Sequence, residues 1–182
     1  MSDKQPLESG FPAIEDHNAR ILILGSMPSI KSLEQQQYYA HPRNAFWPII
    51  CALFNLDTDR TYQQRCELLI KNHIAVWDSI KACHRSGSLD QNIDSTSMIA
   101  NDFNLFFQQH ANIEKILFNG AKAEQVFKRY VLPTLNEQLA ALPMFRLPST
   151  SPAHASIKFE QKYHIWSQAL TINKANILQI DQ

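Results

Sequence analysis

The sequence predicts an α/β fold: a three-layer α/β/α sandwich around a central four-stranded parallel sheet. Three observations point to it. Short, continuous apolar runs stop at glycine or at polar residues, as in strands buried on both faces. Between them lie stretches whose apolar residues recur at helical spacing. The two kinds alternate, and a strand–helix–strand crossover makes a parallel sheet covered on both sides. The 182 residues suit one domain, 1–182, with residues 1–15 as a flexible N-terminal arm.

The first strand is residues 20–25 (RILILG), an apolar run ending at a breaker. Residues 44–55 (NAFWPIICALFN) read as a helix. Asn44 is a favourable N-cap, Phe46, Ile49, Ile50, Leu53 and Phe54 share a face, and Pro48 is tolerable in a first turn whose N–H groups lack helical partners. A second helix covers 62–72 and a second strand 74–80 (IAVWDSI). Residues 84–96, polar and containing Ser86-Gly87-Ser88, read as a long loop with His84 and Arg85 solvated. A helix over 102–110 precedes the third strand, 115–119 (KILFN), which Gly120 stops. The helix over 121–131 ends before Pro133. The fourth strand, 144–147, leads through PSTSPAHAS to a last helix over 157–169.

Composition excludes several classes. The chain is 45% hydrophobic and 19% charged, an ordinary globular balance. No run of about 18 apolar residues exists, so no membrane partner is expected, and the polar start MSDKQPLESG carries no secretory h-region. Four glycines, in neither G-x-x-x-x-G-K-S/T nor G-x-G-x-x-G, argue against P-loop nucleotidases and Rossmann dehydrogenases. Cys51, Cys66 and Cys83 are scattered and no C-x-x-C occurs. This fits a reduced, cytoplasmic setting, a bacterial-type cytosol or nucleoid. Seven histidines form no His/Cys ligand cluster, so neither metal nor cofactor is expected. A formal net charge of zero counts against bulk electrostatic DNA binding but allows a locally basic face.

In a parallel sheet, ligands bind outside the carboxyl ends of the strands. That nominates four loops: 25–43, 78–91, 119–122 and 149–156. In the first, Tyr38, Tyr39, His41-Pro42-Arg43-Asn44 and Phe46-Trp47 suit a flat heteroaromatic ligand, with rings to stack on it and an amide to read or polarise its edge. The blander alternatives are that Asn44 only caps a helix and that Phe46 and Trp47 are core. Asp78 closes an apolar strand, where a carboxylate needs a partner: a ligand N–H, or the following loop. Residues 149–155 form a rigid tip beside a helix N-terminus, which favours a phosphate that His154 would also contact. Lys158 and Lys162 lie one turn apart. With Lys122 and Arg43 they would make a local basic face, or else an ordinary solvated one. No nucleophile elbow, zinc-deaminase signature or glycosidase-type carboxylate pair is apparent in these loops.

Four separated segments, GSMPSIKSLEQQQYYAHPRNAFWPI, IAVWDSI, ACHRSGSLDQNI and LPSTSPAHA, together resemble the hypoxanthine-DNA (deoxyinosine) glycosylases of the uracil-DNA glycosylase superfamily. AHPRNAFW is also similar to the AHPxNxFW segment of the mismatch-specific uracil glycosylases. The resemblance spans about residues 20–170, with the motifs in order on the nominated loops. It implies a uracil-DNA glycosylase-like fold and a monomeric, monofunctional repair enzyme. Such an enzyme acts on double-stranded DNA, flips out a deaminated base and hydrolyses its glycosidic bond to leave an abasic site.

The resemblance also assigns roles. Where the uracil enzymes have Asp or Asn to handle the attacking water, Met27 stands in Gly25-Ser26-Met27-Pro28, and the catalytic amide becomes Asn44. Tyr39 would stack on the flipped base, with Phe46 beside it, and the Asp78 carboxylate would accept the N1–H of hypoxanthine and penalise adenine, which lacks it. Backbone N–H groups near Ser26 would stabilise the departing base. The tip, with Ser149 and Ser151-Pro152-Ala153-His154-Ala155 in place of the His- or Asn-led loop of the uracil enzymes, would press the DNA backbone. Ser29, Arg43, Lys122 and Lys158 would add DNA contacts. No Schiff-base lysine stands out. Three rivals remain: a uracil or mismatch glycosylase, a non-catalytic base- or nucleotide-binding module, and an enzyme of free nucleosides.

Overall fold

The computed structural model describes residues 7–171. In chain order the elements are β1 (Glu8–Ser9), β2 (Ile21–Gly25), α1 (Ile30–Gln35), α2 (Phe46–Leu53), α3 (Tyr62–Lys71), β3 (Ile74–Asp78), β4 (Ile80–Cys83), β5 (Ile99–Ala100), α4 (Phe103–Gln109), β6 (Lys115–Asn119), α5 (Ala121–Val126), α6 (Glu137–Ala140), β7 (Met144–Leu147) and α7 (Phe159–Thr171). A short helical turn, Asp90–Asn92, lies between β4 and β5.

The central sheet has the order β3-β2-β6-β7, all parallel. It is the expected four-stranded core. Strand periodicity divides it between two helical layers. Ile23, Val76 and Leu117 face a cluster built from α2, α3 and α7, including Phe46, Trp47, Ile49, Ile50, Leu69 and Trp166. Leu22, Leu24, Ala75, Ile116 and Phe118 face Phe103, Phe106, Phe107, Phe127 and Val131. Each such fully buried side chain contributes about 1.5–3 kcal/mol relative to exposure, so the two faces anchor the strand ends that carry the site.

Several expectations change. The strand read over 74–80 breaks at Asp78. The Ser79 and Ile80 N–H groups donate to the Gly25 and Ser26 carbonyls at 2.8 and 3.0 Å, turning the chain over the end of β2. Beyond the break, β4 is the middle strand of a small antiparallel sheet, β1-β4-β5. Only Asp78-Ser79 marks the turn in the sequence, and the apolar residues on both sides of it read as one strand because both sheets want apolar residues. Residues 7–15 are not a loose arm. Glu8 and Ser9 pair with Cys83 and Ala82, and Ile14 exchanges two 2.9 Å backbone bonds with Val76 along the sheet edge. Residues 1–6 of the expected arm lie outside the described residues.

Arg85 is buried rather than solvated. Its guanidinium meets Glu8 Oε2 at 2.7 Å and the Pro28 carbonyl at 2.6 Å, which is how a charge is held in an interior. Helix α2 begins at Phe46, α7 at Phe159, and α1 occupies part of the first nominated loop. Among the described residues, no helix is long and apolar enough to cross a membrane.

Candidate active site

A cleft of about 400 Å³ opens where β2, β3 and β6 end, within the range of small-ligand sites. Its floor is Gly25, Asp78 and the Asn119-Gly120 turn. Around it stand 26–29, Asn44, Ser88 to Gln91, Ser149 to Ser151, Ala153 and His154.

Register sets the floor. Gly25 is directly opposite Asp78 in the β2–β3 pair, and the Asp78 carboxyl folds back over the Gly25 Cα. A side chain at residue 25 would run into Asp78 Oδ1 and come within 3.3 Å of the Tyr39 hydroxyl. Glycine is needed here for the close approach of a neighbour, since nothing larger leaves room. The Asp78 side chain is aimed into the cleft yet only 4% exposed, and Oδ2 has no hydrogen-bond partner. Burial pushes this carboxyl up to about 8. The Asp90 charge adds to the rise and Arg85 opposes it. Burial therefore favours the neutral acid at Asp78 over the carboxylate read from the sequence.

Tyr39 stands beside it. Its backbone is left-handed, φ 55°, an uncommon setting for a bulky residue. Its ring stacks on Phe46 at 4.0 Å between centroids. The hydroxyl is buried beside Gly25, and burial first, then the Asp78 charge, raises its pKa so that it stays a phenol. Phe46 itself does not line the cleft. It is wholly buried among Tyr39, Trp47 and Trp166, so the core alternative holds for it, and it backs the tyrosine rather than touching a ligand.

Asn44 reaches the cleft. Its Oδ1 accepts the Phe46 N–H at 3.0 Å, starting α2 one residue beyond the expected cap position, and its own N–H donates to the His41 carbonyl at 2.8 Å. The capping alternative is thus true of one oxygen lone pair. The second lone pair and the amide hydrogens remain for other partners.

The tip is stapled to both neighbours. Asn119 donates to Thr150 Oγ1 at 2.8 Å and accepts the Thr150 N–H at 2.9 Å, while the Thr150 carbonyl accepts the Ala45 N–H at 2.9 Å. These bonds tie the tip to the residue after Asn44. Trp166 Nε1 donates to the Pro148 carbonyl at 3.0 Å. Lys162 is not part of a solvated basic face. It is 5% exposed, and its ammonium donates to the His154 carbonyl at 2.8 Å, propping the tip from behind. The α7 N-terminus falls at Phe159, beyond the tip rather than at it.

Of the other residues singled out, Ser26, Met27, Pro28, Ser29, Lys122, Ser149 and Ser151 line the cleft. Met27 is buried against Ile80 and Val126. The Ser29 hydroxyl caps α1, accepting the Ser32 N–H at 3.2 Å. Arg43, Ala155 and Lys158 are exposed and Pro152 is half-buried, all outside the lining. Residues 78–91 also supply Asp90, which lines the cleft with Asp78. The sequence reading does not single out Asp90. Its signal was weak, a lone Asp in a polar loop, although the loop itself was nominated. Among the described residues no group of His, Cys, Asp or Glu is placed to hold a metal ion.

Comparison with known proteins agrees with this architecture. Residues 11–170 match the family model described as the uracil DNA glycosylase superfamily. Two similar proteins, from Methanosarcina barkeri and Methanosarcina acetivorans, are each named hypoxanthine DNA glycosylase. They are 38% and 40% identical over 117 and 118 residues, about 64% of this chain and 73% of each relative. A solution NMR structure of a candidate uracil DNA glycosylase from Methanosarcina acetivorans superposes with a TM-score of 0.73 at 33% identity, covering 91% of this chain and 99% of that one.

Proposed function

The chain belongs to the uracil DNA glycosylase superfamily, and from that we propose that it excises hypoxanthine from deoxyinosine in double-stranded DNA, leaving an abasic site. The observation that carries the reading is the buried, unpartnered Asp78 carboxyl at the cleft floor. A neutral carboxyl offers an acceptor and a donor side by side. Hypoxanthine offers N1–H and O6 in the same spacing, so one two-bond contact recognises it. The names of the two relatives support hypoxanthine as the base.

The residues divide the work. Flipping brings the base out of the stack at a cost of a few kcal/mol, less for a wobble pair than for a Watson–Crick pair. A neutral Asp78 would also pair with adenine, so adenine is rejected by that flipping difference rather than by an unpaired carboxylate. Tyr39, braced by Phe46, lies against the base. The Asp78 O–H and backbone N–H groups near Ser26 meet O6, where negative charge gathers as the base leaves. Asn44, with one lone pair and its amide hydrogens available, holds the attacking water at C1′. The tip from Ser149 to Ala155, with Ser29, Arg43, Lys122 and Lys158, takes the phosphate backbone. The protein acts as a monomer, without a covalent sugar intermediate.

A second reading keeps the cleft and changes the base to uracil, whose N3–H and O4 present the same pair of groups to a neutral Asp78. Duplexes carrying one deoxyinosine or one deoxyuridine, incubated with the protein and then treated with alkali, separate the two. Cleavage at inosine that a folded Asn44→Ala protein loses is the expected outcome. Strong cleavage at uracil with none at inosine gives the second reading. Binding without cleavage of either overturns both and leaves Asn44 a helix cap. Strand scission without alkali would overturn the monofunctional assignment.

A further inference from the structure

We propose that Asp90 is the general base of the excision reaction, taking the proton of the water that Asn44 holds; this rests on the glycosylase reading above. Asp90 comes from a different loop than Asn44 and Asp78, yet all three line one cleft. Its Oδ1 is fixed by the Ser26 hydroxyl at 2.6 Å. No described protein donor meets Oδ2, so one oxygen is anchored and the other is available. Asp78, with its unpartnered buried Oδ2, marks where a base would bind. Asp90 is less enclosed than Asp78, and in the proposed reaction it takes the sugar's side of the cleft, with the base on the floor.

The charges around it suit that role. Asp78, Arg85, Lys122 and the Ser26 hydroxyl face Asp90. Burial raises its carboxyl above the ordinary range, while the Ser26 bond, Arg85 and Lys122 hold it down. Of these three supports Asp78 shares only the Arg85 charge, and the proposed step accordingly places the negative charge on Asp90 and the proton on Asp78. Two interacting carboxyls whose environments push them apart divide acid and base roles. In the step, the C1′–N9 bond breaks with its electron pair leaving on the purine, and the water oxygen bonds to C1′. The water's proton passes to Asp90 Oδ2. Solvent then protonates the purine anion, and Asp90 returns its proton to solvent.

The test compares wild type, Asp90→Asn and Ser26→Ala on inosine duplex under single-turnover conditions, with duplex affinity measured separately. Asp90→Asn keeps an acceptor for Ser26 and removes only the charge. It should lower the excision rate by about a hundredfold or more, with affinity unchanged or tighter, while Ser26→Ala loses much less. In wild type the rate should fall tenfold per unit toward acid, through the Asp90 ionisation; this readout needs no variant. An Asp90→Asn rate near wild type, equal losses in the two variants, or no acid limb overturns the proposal alone. A wild-type protein that excises no base overturns the glycosylase reading with it.

Discussion

Replacing Asp78 by Asn tests the claim that the base-reading carboxyl is neutral. The folded protein holds the Asp78 proton up to about pH 8, against an ordinary value of 3.8. Between those values the unfolded chain has lost a proton that the folded chain keeps. Stability therefore falls as pH rises, by up to about 1.4 kcal/mol per pH unit from this group. An Asn side chain cannot ionise, so the Asp78→Asn variant escapes the penalty. Its stability relative to wild type should improve steadily from pH 4, reaching about 4 kcal/mol by pH 7. Urea unfolding of both proteins at several pH values from 4 to 8 gives the difference curve directly. The amide also keeps one donor and one acceptor. The variant should excise inosine at a rate comparable to wild type near pH 7, and should not share the wild-type loss of about tenfold per unit above pH 8. A stability difference independent of pH would refute the buried neutral acid. So would a wild-type rate undiminished at pH 9.5. A folded variant inactive at pH 6.5 would show that the contact requires an ionised carboxylate after all.

Other substitutions separate roles that share a residue. Asn44→Ser keeps an acceptor for the Phe46 N–H and loses the amide, so unfolding should shift by a few tenths of a kcal/mol while excision drops by about a hundredfold or more. Asn44→Ala should lose the same activity and about 1 kcal/mol of stability, since the cap goes too. Gly25→Ala drives a methyl into the Asp78 carboxyl; circular dichroism should stay native while excision falls by about two orders of magnitude, in line with displacing a positioned group. Lys162→Met removes the prop under His154, and binding titrations should show weaker duplex affinity with the single-turnover rate at saturating enzyme nearly unchanged.

Much of this was legible because burial writes itself into sequence. The four sheet strands are short apolar runs with stops, and the rule that ligands sit at their carboxyl ends pointed to the loops that form the cleft. Asp78 stood out as a charge at the end of an apolar strand, a position that needs a reason. The misses among polar residues come from partners that the sequence does not place beside them. Arg85 looked solvated because Glu8 is 77 positions distant. Lys162 looked like half of a basic stripe because nothing local reveals the His154 carbonyl above it. Asp90 lay in a nominated loop, but only the fold brings Ser26, 64 positions away, to its carboxylate. Phe46 goes the other way: the resemblance sets it beside the flipped base, and the packing of α2 on α7 favours the core alternative.

The protonation of Asp78 also bears on how a chain of zero net charge holds a polyanion. Two ionised carboxylates at the cleft would set a like-charge barrier against the phosphates on either side of a flipped nucleotide. With Asp78 neutral, only Asp90 carries charge among the carboxyls lining the cleft, and Lys122 in the same lining opposes it. The exposed Arg43 and Lys158 then act outside a cleft that is close to neutral rather than one they must first overcome. In the proposed reaction the remaining negative charge serves the sugar, which becomes electron-poor as the glycosidic bond opens, and the neutral acid serves the departing base, which becomes electron-rich. On that proposal, burial and the mutual repulsion of two acids serve two ends at once: an entrance that admits DNA and a polarity along the C1′–N9 bond that favours its cleavage.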